Sequence, residues 1–142
     1  MEKRRLQLDQ IEQGLPRASE DDPLEQVCRR VDAIEEMVRQ RGKRKGGCII
    51  GNLSTALSDT HAAFRRRLAE CFDEMAQEFK PQLDAAARQY CPRRQLDTWD
   101  LARYIVTVIK GAIMLGRTQQ DRRLVGRHFK HLKEYLKQVL EA

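Results

Sequence analysis

The sequence predicts an all-α protein, an antiparallel helical bundle of about five to six helices that dimerises through its last two. Three observations carry that prediction. Apolar residues recur at spacings of three and four in successive segments, which puts them on one side of an α-helix. Only four prolines interrupt the chain. Charged residues, 34% of the total, alternate with apolar ones instead of running in blocks, a pattern of amphipathic helices and not of disorder. With 142 residues, 41% of them hydrophobic, residues 1–142 suffice for one domain with its own core.

The elements follow in order. "EKRRLQLDQIEQGLP" sets Leu6, Leu8 and Ile11 among charges and stops at Gly14 and Pro16, which reads as a short helix with frayed ends. "RASEDD" is a loop. Asp22 then supplies an N-cap and Pro23 a favoured first helical residue. From there Leu24, Val27, Cys28, Val31, Ile34 and Val38 form one apolar stripe, with Arg29, Arg30, Glu35, Glu36 and Arg39 expected to face water and Gly42 ending the helix.

"RGKRKGG" (41–47) crowds four cations and three glycines into seven residues, the composition of an exposed loop. No aromatic residue interleaves the cations to stack a base, and the GxxxxGK[ST] order of a phosphate-binding loop is missing. In "GCIIGNLSTALSD", Ile49, Ile50, Leu53, Ala56 and Leu57 predict a short buried helix over 48–57. Gly51 there allows close approach, and Asn52 offers a donor and an acceptor in an apolar layer.

Asp59 or Thr60 can cap the next helix, where Phe64, Leu68, Cys71, Met75 and Phe79 recur over four turns. Leu83, Ala86, Ala87 and Tyr90 continue the stripe past Pro81, so one helix bent at the proline is expected from about 60 to 90. After the loop "YCPRRQLD", Asp97 or Thr98 opens a helix that is apolar all round from Tyr104 to Gly116. One side of it packs on the core, and the other calls for a second subunit, with Gly111, Ala112 and Gly116 permitting close approach. The last helix, from Asp121 to about Leu140, carries Leu124, Val125, Phe129, Leu132, Leu136, Val139 and Leu140 on a broad face.

Several function classes drop out. Cys28, Cys48, Cys71 and Cys91 include no CxxC pair, so they read as small buried hydrophobes in a reducing cytoplasm and not as a metal site or disulfide framework. The run from Tyr104 to Gly116 is too short to cross a bilayer and contains Lys110. The histidines, His61, His128 and His131, have no carboxylate at metal-site spacing, no acid and base pair emerges, and no GxSxG motif occurs, so neither catalysis nor a cofactor is expected. The net charge of +6 suits an anionic partner without demonstrating one.

The capped helix beginning "DDPLEQV", the "GCIIGNLSTALSD" segment, the amphipathic helix beginning "HAAFRRRLAECFDEM" and the stretch "LARYIVTVIKGAIMLGRTQQD" occur in an order and spacing that carry a resemblance over about residues 20–140. The chain resembles the C-terminal, effector-binding and dimerisation domain of TetR-family bacterial transcriptional regulators. The resemblance implies a cytoplasmic homodimer without contact to membrane. In it an unknown, mostly apolar small molecule occupies a cavity among the helices and shifts the helix that leads to the DNA-reading heads, a change of population between two arrangements. Matching helix by helix places the cavity among Ile34, Met37, Asn52, Phe72, Met75, Phe79, Tyr104 and Val108. Thr107 joins them, since a polar group in a dry layer requires a partner. The dimer interface is expected at Ile109, Ile113, Gly116, Leu124, His128, Phe129, Leu132 and Leu136. No helix-turn-helix is found in these residues. Residues 1–16 then correspond to the tail of the connecting helix, with the DNA-binding domain absent and DNA contacted only through it. The alternative is a small basic helical module that binds nucleic acid or protein through "RGKRK", Arg65 to Arg67 and the cationic last helix.

Overall fold

The computed structural model describes residues 2–15, 22–41 and 49–141, and within them seven helices and no strand. These are α1 (Glu2–Gly14), α2 (Pro23–Arg41), α3 (Ile49–Leu57), α4 (Ala62–Gln77), α5 (Lys80–Tyr90), α6 (Thr98–Thr118) and α7 (Arg122–Glu141). The all-α expectation holds. Of the loop expected at 41–47, Arg41 instead ends α2, and residues 42–47, like Cys48, lie outside the described residues.

The start signals behave as local chemistry requires. Asp22 Oδ1 accepts from the Leu24 amide at 2.9 Å and so caps α2, while Asp97 accepts from the Asp100 amide at 2.9 Å at the start of α6. Gln120, between α6 and α7, takes a left-handed φ of 54° and closes the turn, with its side-chain amide donating to the Arg117 carbonyl at 2.7 Å.

The core lies where α2, α5, α6 and α7 meet. Phe129, Leu136 and Leu140 of α7, Leu83 of α5, Ile105 of α6 and Val31 of α2 are all fully buried there. Lys133 pairs with Asp32, and Lys137 with Glu25 at 3.5 Å, along the rim between α7 and α2. Gly116 explains how closely α6 and α7 approach: a Cβ on it would stand 3.0 Å from Val125 Cγ2 and 3.1 Å from the Asp121 carbonyl oxygen. Gly111, by contrast, has nothing within 4 Å of such a Cβ, so its face is open.

Three expectations are corrected. The segment 60–90 is two helices, because the chain turns tightly through Glu78 and Phe79, and Pro81 falls in the first turn of α5, where a missing N–H needs no partner. Residue His61, not Asp59 or Thr60, stands at the N-cap of α4 and makes no side-chain cap bond. Helix α3 is not buried over residues 50–57: it rests on α4, Ile50 packs only partly buried against the core, and Asn52 is exposed. A nine-residue helix lying on the exposed start of α4, where Phe64 is itself half exposed, has too little around it to be covered.

Candidate functional site

The apolar residues expected to line a cavity belong to the bundle core or pack against it. Ile34 and Met37 from α2, Met75 from α4 and Phe79 from the α4–α5 turn are buried in the core, and Phe72 and Val108 pack against it from α4 and α6. Their positions follow from helix periodicity, since Phe72, Met75 and Phe79 follow one another at three- and four-residue steps. The Arg103 guanidinium fixes α4 against α6 beside them, donating to Asp73 at 3.0 Å while lying 4.9 Å over the Trp99 ring.

The three polar residues expected with that set stand elsewhere. Asn52 lies exposed on α3. Tyr104 and Thr107 lie on the side of α6 opposite Leu101, Ile105, Ile109 and Ala112, so they face outward. Thr107 satisfies its hydroxyl by donating to the Arg103 carbonyl at 2.9 Å, and Tyr104 sets its ring 5.1 Å from that of Tyr135 on α7.

The last two helices place their residues just as unevenly. Ile109, Gly116, Leu124, Phe129, Leu132 and Leu136 are buried inside the single chain, where they hold α6 and α7 to one another and to α2 and α5. Ile113 is half-buried and His128 exposed. The open side of the α6–α7 pair is instead an apolar and aromatic strip of Tyr104, Met114, Leu115 and Tyr135, with Met114 58% exposed and the open face of Gly111 between them. The apolar run around Lys110 marked α6 as apolar on more than one side, but not which residues face which way.

A second feature escaped the sequence reading. Arg30, expected in water, is only 9% exposed and donates to Asp9 at 2.6 Å, Glu12 at 2.9 Å and Glu78 at 2.9 Å. Burial opposes its charge, but the hydrogen bonds to Asp9, Glu78 and Glu12 outweigh that penalty and raise its pKa. The signal was present: Arg30 lies three residues after Val27 and four before Ile34, on the stripe itself. It borders an open cleft of about 850 Å³ between α1, α2 and the α4–α5 turn, lined by Arg5, Asp9, Gln26, Glu74 and Glu78 among others.

Burial, helped by the charge of Glu25, pushes the Cys28 thiol up to about 11, which leaves it an inert core residue at neutral pH. Cys71 and Cys91 are buried too. Among the described residues no group of three or more His, Cys, Asp or Glu side chains could hold a metal ion, and no helix is long and apolar enough to cross a membrane.

Residues 23–132 match the family of tetracyclin repressor-like C-terminal domains. No curated protein and no solved structure matches the chain.

Proposed function

Because the chain belongs to the tetracyclin repressor-like C-terminal domain family, whose match spans α2 to the middle of α7, we propose that it senses a small, mostly apolar effector and pairs with a second copy of itself. The observation that carries this reading is that family match over an all-helical bundle. Two structural features support its parts. The sensing part is supported by the core membership of Ile34, Met37, Met75 and Phe79, with Phe72 and Val108 packed against them, where a ligand makes room by displacing flexible methionine side chains. The pairing part is supported by the uncovered strip of Tyr104, Met114, Leu115 and Tyr135.

In this reading the chain is a regulator and not a catalyst. The effector favours one arrangement of the helices over another, and its differential affinity, typically about 1–3 kcal/mol, is the whole of its leverage on DNA binding by heads that α1 leads to.

The test is thermal unfolding of the full chain with a panel of medium-chain carboxylates, alcohols and simple phenols. A true effector at about a hundred times its Kd stabilises the fold by about 2.7 kcal/mol. Val108→Phe, which enlarges a side chain packed against that core, abolishes that gain. A panel without any stabilising compound, or a gain that Val108→Phe leaves intact, counts against a cavity at this place.

A further inference from the structure

Helix α1 joins the bundle through charge more than through apolar contact. Leu8 is its one fully buried residue, Ile11 and the following Leu15 pack partly against the core, and Leu6 is 58% exposed. We propose that α1 is a detachable strap held by a charge latch whose catch is Glu78, so that it docks and leaves as a unit while α2 to α7 stay folded. The inference goes beyond effector sensing and holds whether or not a ligand binds, since α1's attachment is read within the chain.

The latch is a chain of ion pairs. Arg30 on α2 gives one guanidinium nitrogen to Asp9 and Glu12 of α1 and the other to Glu78 Oε2 at 2.9 Å. The second carboxylate oxygen, Glu78 Oε1, accepts from Arg4 of α1 at 2.9 Å. Two acids and one base of α1 therefore depend on a single pair outside it, Arg30 and Glu78. Neutralising Glu78 strips Arg4 of this partner and leaves Arg30 with carboxylates from α1 alone.

Two further observations make the docked state easy to open. Asp9, Glu12, Arg30 and Glu78 line the solvent-open cleft of about 850 Å³, and the α1 carboxylates are its exposed side, Asp9 at 44% and Glu12 at 27%, so water and salt reach the latch from there. The α1 end is held by Arg29, which donates to the carbonyls of Glu12 and Leu15, and its Nε is buried without a hydrogen-bond partner. Undocking returns that donor to water, which offsets part of what the lost contacts cost. The catch also stands at the turn between α4 and α5, next to the buried Phe79, so a shift of that turn moves Glu78 relative to Arg30.

Amide hydrogen exchange of the full chain, followed by mass spectrometry, tests the strap. Raising salt from about 0.1 M to about 1 M shortens the screening length from about 10 Å to about 3 Å. Exchange across residues 2–14 then speeds up about tenfold while α6 and α7 keep their protection. Glu78→Gln produces the same local loosening at low salt. Arg4→Gln, which leaves Arg30 fully paired, produces a smaller one at the same place and serves if Glu78→Gln fails to fold. Unchanged exchange in α1 under high salt and in both variants overturns the latch. Loosening that spreads through α2, α6 and α7 together with α1 overturns the strap, because α1 is then part of the cooperative core.

Discussion

The Tyr90 hydroxyl donates to Asp22 Oδ2 at 2.6 Å, joining the end of α5 to the residue whose other oxygen caps α2. The hydrogen bond to Asp22, with burial and the Asp22 charge behind it, pushes the Tyr90 phenol from an ordinary 10.0 up to about 12. A raised pKa means that the folded state holds its proton longer. The Tyr90 contribution to stability is therefore complete below pH 10 and lost between pH 10 and about 12. Cys28, raised from 9.0 to about 11, loses its contribution over that lower window. Urea unfolding across this range is expected to show the decline, and Tyr90→Phe to flatten its upper part.

The acid limb has different residues behind it. Burial works against ionisation of Asp84, yet hydrogen bonds from Lys80 and Thr98 hold its carboxyl below the ordinary 3.8. Arg127 does the same for Asp121 through its hydrogen bond. Both contributions are present above pH 3.8 and disappear as pH falls through the lowered values. Asp84→Asn removes part of that acid dependence in the same unfolding experiment.

Two glycines separate close approach from open space. Gly116→Ala forces a methyl against Val125 and the Asp121 carbonyl, and costs about 1–2 kcal/mol despite the better helix propensity. Gly126→Ala meets only the end of the Glu35 side chain, which swings aside, and so stabilises by about 0.5–1 kcal/mol. Opposite shifts in thermal midpoint are the expected readout.

Neighbours on α7 answer differently to truncation. Phe129, fully buried, loses about 3–5 kcal/mol of fold stability as Phe129→Ala. The exposed His128 changes the fold by less than about 0.5 kcal/mol as His128→Ala. Denaturant midpoints at matched protein concentration distinguish the two.

What the sequence made legible was whatever one helix decides by itself. Spacing found α2, α6 and α7, and the Asp22 and Asp97 caps were plain because capping uses residues only two or three apart. What it left hidden depended on neighbours. Phe64 shares the period of Leu68 and Cys71 but stands half exposed, while those two are buried. Tyr104 and Ile105 are neighbours in one largely apolar run, and nothing in their order says that Ile105 faces the core while Tyr104 meets Tyr135. Arg30 sat on the apolar stripe, but its carboxylates come from residues 18, 21 and 48 positions away. That Ile34, Met75 and Phe79 are buried was readable for the same reason as the helices, and the outward placement of Asn52, Tyr104 and Thr107 was not.

Sedimentation equilibrium of the full chain at micromolar concentration, beside Tyr135→Glu, decides whether the strip on α6 and α7 is a subunit interface. The wild-type chain is expected at about twice 16.6 kDa, and Tyr135→Glu at 16.6 kDa with its helical circular dichroism intact. A folded wild-type chain sedimenting at 16.6 kDa, with Tyr104, Met114 and Tyr135 left in water, contradicts the paired sensor.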